Sequence, residues 1–190
     1  ADCLLWYFAS SGKEENGVWV GGRLQVITDV TLRQQFIEKF LKPFLNEFGS
    51  HLALFGFDII NEPEWPINQK IITPEQLATF VNECATTIRQ YAKGKLITVG
   101  VSAQYALLTK NLPLDYTAIH LYPANSVLFL DEFPGTVMLL GQNRPWVLEE
   151  YPSANTNIDP ETYLRVIQKL GGSGASMWNF TLGSDKWSVS

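Results

Sequence analysis

Cysteine and histidine are scarce in this chain: Cys3 and Cys84, His51 and His120 are all there are in 190 residues. That scarcity rules out a disulfide-dense scaffold and any Cys/His cluster with zinc spacing. Cys3 stands in an apolar, strand-like run and Cys84 on the apolar face of a helix, so two buried thiols are expected rather than a disulfide. No metal and no cofactor is expected. Cations are also few. Against 19 Asp and Glu there are 14 Lys and Arg, a net charge of −5, and nothing gathers positive charge for a phosphate backbone, so nucleic acid is not an expected partner. No apolar run reaches the length of a membrane span. Ala1-Asp2-Cys3-Leu4 lacks the basic n-region of a signal peptide, and the protein is expected to be soluble, cytoplasmic or secreted after processing. No linker, low-complexity stretch or internal repeat marks a second domain, so residues 1–190 read as one domain.

What the chain does have is apolar residues, 46% of the total, and aromatic ones, 13%. Short apolar runs alternate with helix-period segments. Cys3 to Phe8, Leu54 to Ile60, Leu96 to Val101, Tyr116 to Tyr122, Trp146 to Glu150 and Ala175 to Phe180 read as strands. Asp29 is a predicted N-cap for a helix with Leu32, Phe36, Ile37, Phe40, Leu41, Leu45 and Phe48 on one face, divided or kinked at Pro43 and stopped at Gly49. Thr73-Pro74-Glu75-Gln76 predicts a capping box, followed by a stripe of Leu77, Phe80, Val81, Cys84, Ile88 and Tyr91. Ala103 to Lys110 reads as a short helix and Asn125 to Leu140 as an irregular one. Asp159-Pro160-Glu161 starts a helix that Gly171-Gly172 ends. Strand then helix, repeated, is the pattern of a parallel sheet covered by helices, an α/β fold.

Two strand ends carry carboxylates. Leu54 to Ile60 runs into Asn61-Glu62-Pro63-Glu64-Trp65. Trp146 to Leu148 runs into Glu149-Glu150-Tyr151-Pro152. A carboxyl group at the end of a buried strand, beside an amide and an aromatic ring, has the controlled setting that acid/base work at neutral pH requires. Retaining glycoside hydrolysis takes two such groups about 5–5.5 Å apart, an acid/base and a nucleophile.

These motifs resemble those of the clan A glycoside hydrolases, especially family 5, and the likeness runs through most of the chain. In that family an Asn-Glu-Pro ends strand four of a (β/α)8 barrel and a Glu-aromatic ends strand seven. Ile119-His120-Leu121-Tyr122-Pro123 is similar to the family's strand-six motif and Met177-Trp178-Asn179 to its strand-eight motif. The resemblance implies Glu62 as acid/base, Glu150 as nucleophile, Asn61 as a partner of the sugar 2-hydroxyl, Tyr122 as a hydroxyl holding Glu150, His120 against sugar or a carboxylate, and Trp178 stacked on a pyranose. Trp65 is a further candidate sugar contact. Glu150 is preferred to Glu149 because the family's Glu directly precedes the aromatic, and because strand alternation puts the two on opposite faces. Glu149 is then a solvated or salt-bridged neighbour, and Glu64 a surface charge or an outlying substrate contact.

Aligned on these motifs, Cys3 to Phe8 corresponds to strand three, and strands one and two and the last helix fall outside the chain. The expected fold is therefore a partial (β/α)8, TIM-barrel-like sheet of about six parallel strands, three to eight. No equivalent of the family's strand-two Arg, which steadies the nucleophile, can be assigned. Open sheet edges would invite a second copy of the chain, so homo-oligomerisation through them is an expectation. The leading reading is a retaining hydrolase of a β-linked glucoside, mannoside or galactoside, with carbohydrate as its partner. The alternative is a weak or inactive barrel fragment that binds carbohydrate or serves a structural role. A serine esterase ranks below both, since neither Ser102 nor Ser153 sits in a Gly-x-Ser-x-Gly elbow.

Overall fold

A computed structural model describes residues 13–15, 18–20, 24–122, 133–135, 137, 144–152 and 157–178. The predicted strand Cys3 to Phe8 and most of the segment Asn125 to Leu140 lie outside these residues. Two compact units are present, Ala1–Val99 with Asn111–Leu114, and Gly100–Lys110 with Asp115–Ser190.

In the first unit, strands β1 (Lys13–Glu15) and β2 (Val18–Val20) pair antiparallel. Helices α1 (Gln25–Thr28) and α2 (Val30–Phe36) follow. Asp29 caps α2 as expected, its side chain accepting from the Leu32 amide at 2.9 Å. The helical path then widens into a π turn, Ile37–Leu41, before α3 (Lys42–Phe48). Pro43 explains the widening. Its ring carries no N–H and would crowd the carbonyl one turn back, and a π turn relieves both without breaking the helix. The inserted residue also narrows the apolar stripe. Ile37, Leu41 and Leu45 are buried, whereas Leu32 and Phe48 are exposed.

Strand β3 (Gly56–Asn61) begins and ends slightly later than the sequence pattern suggests. It leads to a short helix α4 (Glu64–Asn68) and to α5 (Pro74–Tyr91). The Thr73–Gln76 capping box is complete: Gln76 N–H donates to Thr73 Oγ1, and the Gln76 side chain accepts from the Thr73 amide. Leu77, Phe80, Val81, Cys84 and Ile88 are buried as one face of α5, each large apolar side chain stabilising the fold by roughly 1.5–3 kcal/mol relative to exposure. Cys84 is a free thiol within that face, and burial pushes its ionisation up, so it acts as a small hydrophobe.

Strand β4 (Leu96–Ser102) starts beside β3, its Leu96 amide donating to Phe55 O, and ends in the second unit. The predicted short helix is present as a 3₁₀ helix, Ala103–Thr109. Strands β5 (Thr117–His120), β6 (Trp146–Pro152) and β7 (Ala175–Trp178) complete a five-stranded parallel sheet in chain order, with helix α6 (Pro160–Lys169) between β6 and β7. The α/β class and the barrel-like strand order thus agree with the sequence. Among the described residues, no helix is long and apolar enough to cross a membrane.

The core of the second unit gathers Ile119, Phe133, Trp146, Leu148, Tyr151 and Tyr163. Tyr151 stacks on Tyr163 at 4.7 Å and Phe133 meets Trp146 edge-on at 5.6 Å. Asp159 caps α6 by accepting from the Thr162 amide. Gly171 ends it with φ of +80°, a conformation suited to glycine. Gly172 is needed for a different reason: a Cβ there would collide with Ile167 Cγ2 and lie 2.8 Å from the Trp146 ring. Gly172→Ala is expected to destabilise the protein by about 1–3 kcal/mol, the usual cost of overpacking. Urea unfolding measures this, and an unchanged midpoint would contradict the packing described.

Candidate active site

In the first unit the site residues sit where β3 ends. Asn61 and Glu62 are half-buried, Pro63 and Glu64 are buried, and Trp65 is 42% exposed. Glu62 has a φ of +44°. A non-glycine residue in this left-handed region costs about 1–2 kcal/mol, and such strain persists where the surroundings over-determine it, frequently at functional positions. The turn has an evident cause. Pro63 cannot continue the ladder, and the chain folds back so that the Trp65 amide donates to Glu62 O at 3.2 Å. The same turn brings the indole Nε1–H of Trp65 to Glu62 Oε2 at 2.7 Å. Trp65 thus orients the carboxyl group, a role that its predicted part as a sugar contact did not include. Glu64 is 1% exposed, which corrects its reading as a surface charge.

In the second unit the site residues sit where β5, β6 and β7 end. The Tyr122 hydroxyl donates to Glu150 Oε2 at 2.7 Å, the contact the family resemblance implies. His120 is 2% exposed. Its Nδ1 lies 3.5 Å from Glu150 Oε2 and its Nε2 lies 3.6 Å from Glu149 Oε2. Trp178 pairs in register with Pro152 at the end of β7 and is 36% exposed, enough to offer a ring face.

The expected opposition of Glu149 and Glu150 is corrected. On β5, Ile119 pairs with Leu148, but the next residue, His120, pairs with Glu150. On β7, Leu148 pairs with Ala175 and Tyr151 with Met177, three residues of β6 against two. Both neighbours record one extra residue in β6, a β-bulge. Its consequence for side chains is direct. Leu148 and Tyr151, three apart, both enter the core beside Tyr163, which strict alternation forbids. The two residues between them therefore turn the other way together, and both carboxylates meet His120.

No protein-family model and no curated protein sequence matches the chain. Solved structures do. The chain is similar in fold to an endo-1,4-β-mannanase from Eisenia fetida, at 17% identity and a TM-score of 0.71, covering 86% of this chain and 57% of that one. A β-mannanase from the blue mussel Mytilus edulis matches at 21% identity and a TM-score of 0.69, over 90% and 61% of the two chains. An endo-1,4-β-mannanase from Rhizomucor miehei matches at 16% identity and a TM-score of 0.66, over 87% and 58%. The chain thus spans about 60% of the length of these structures, whose fold it shares.

Proposed function

We propose that the protein is a retaining glycoside hydrolase acting on a β-linked sugar, with a β-1,4-linked mannoside as the first substrate to offer. The observation that carries this reading is the Tyr122 hydroxyl on Glu150 at 2.7 Å. An O–H donor matches an ionised carboxylate, which is the form a nucleophile needs. The strained, indole-oriented Glu62 and the likeness of fold to mannanases support it.

In this reading the Glu62 carboxylic acid gives its proton to the glycosidic oxygen as the bond to the anomeric carbon breaks. A carboxylate oxygen of Glu150 forms a bond to that carbon, giving a glycosyl ester. Glu62, now a carboxylate, takes a proton from water. The resulting hydroxide-like oxygen displaces Glu150 and the free sugar leaves. Asn61 hydrogen-bonds the 2-hydroxyl, where contacts strengthen in the transition state. Trp178 stacks on a pyranose face, His120 borders the nucleophile, and Trp65 serves the acid.

Double displacement sets a stereochemical test. Proton NMR of the free sugar as it is first released from an aryl β-mannoside is expected to give the β-anomer, with the α-anomer growing in only by mutarotation. An α-anomer formed first would exclude Glu150 as nucleophile. Binding of manno-oligosaccharide by calorimetry with no release of product would exclude catalysis altogether.

A further inference from the structure

Glu150 is the nucleophile of the proposed mechanism, and its neighbour Glu149 takes no part in those steps. Glu149 lies on the same face as Glu150 through the β6 bulge, and its side chain is 28% exposed against 1% for His120. Its Oε2 is buried and lies 3.6 Å from Nε2 of the imidazole, an ion-pair separation longer than a hydrogen bond. The opposite edge faces Glu150 Oε2 at 3.5 Å. An imidazole ring is rigid and planar, so anchoring one nitrogen fixes where the other points. A bulge that disturbs pairing with both neighbouring strands is a costly way to place a solvent-facing acid. It is a sound way to re-aim one side chain beside another.

We propose that Glu149 is a positioning residue: its carboxylate holds the Nε2 edge of His120, and the ring so held presents its Nδ1 edge to Glu150. The proposal rests on the assignment of Glu150 as nucleophile. It gives the Glu149-Glu150 pair a division of labour, with Glu150 bonding to substrate and Glu149 acting through His120.

Glu149→Gln, Glu149→Ala and Glu149→Asp, compared with the unaltered chain, test this. The readouts are kcat and KM on an aryl β-mannoside, thermal unfolding, and the ¹⁵N resonances of the His120 ring. With only two histidines in the chain, a His51→Asn variant assigns those resonances. In the Gln and Ala variants kcat is expected to fall roughly ten- to a hundredfold with KM nearly unchanged, the scale on which a misplaced catalytic group costs rate. Both His120 nitrogens are expected to shift in Glu149→Gln, and Glu149→Asp to recover part of each effect. A merely structural residue would change the unfolding temperature and leave the Nδ1 resonance in place. Unmoved nitrogens in Glu149→Gln, or full kcat in both Gln and Ala variants, would overturn the proposal. If the unaltered chain shows no turnover, the ring resonances alone decide: shifted nitrogens support the clamp and unmoved ones refute it. Failure of the underlying reading looks different, since Glu150→Gln would then retain turnover whatever Glu149 does.

Discussion

Glu150→Gln is expected to lower turnover of an aryl β-mannoside by roughly 10⁴-fold or more, the scale set by removing a covalent nucleophile. The change keeps the size of the side chain and its acceptor for the Tyr122 hydroxyl, so the fold is expected to hold and the loss to fall on kcat. The amide oxygen cannot form the glycosyl ester. The matched variant Glu149→Gln makes this a comparison and not a single knockout. Because the β6 bulge turns both acids to one face, alternation no longer favours either of them. What distinguishes Glu150 is the hydroxyl donated by Tyr122 and its place next to Tyr151. A large loss in Glu150→Gln beside a modest one in Glu149→Gln fits that distinction. The reverse order would make Glu149 the nucleophile, and near-wild-type rates in both would remove the mechanism. An activated 2-deoxy-2-fluoro glycoside gives a second reading of the same point, since the trapped ester marks its residue in a peptide map.

The parts of this structure that were legible in the sequence are the ones decided locally. The Thr73–Gln76 box and the Asp29 and Asp159 caps each satisfy amides within the next few residues, so a short window contains all the information. The strand ends carrying Glu62 and Glu150 were readable because an apolar run gives way abruptly to acids and proline. What was not legible depends on partners distant in sequence or on strain. The bulge exists only relative to β5 and β7, and no window on β6 contains those registers. The left-handed backbone of Glu62 runs against the preference of its residue type, so propensity points away from it. Burial of Glu64 follows from the turn that this backbone makes and is no more legible than the turn itself. Pro43 announced a disturbed helix, but whether a helix breaks or widens into a π turn depends on what it packs against.

Glu62→Gln is expected to produce a loss that depends on the leaving group, and this dependence identifies an acid/base more sharply than the size of the loss. With a poor leaving group such as a mannosyl unit of an oligosaccharide, bond breaking needs a proton, and the rate is expected to fall by roughly 10²–10⁴-fold. A 2,4-dinitrophenyl leaving group needs no proton. Formation of the glycosyl ester on Glu150 then proceeds, while its hydrolysis, which needs Glu62 as base, stalls. The expected signature is a burst of dinitrophenolate equal to the enzyme present, followed by slow turnover. Azide is a nucleophile that needs no base. Added to this variant, it is expected to displace Glu150 from the anomeric carbon, restore turnover and yield the β-glycosyl azide. The Trp65 indole bears on the same result, since it donates to Glu62 Oε2 and an amide oxygen at that position accepts the same bond. Gln therefore leaves the turn intact and removes only the transferable proton. Equal losses on both leaving groups, with no burst and no azide effect, would show that Glu62 supports the fold of the β3 end and transfers no proton in the reaction.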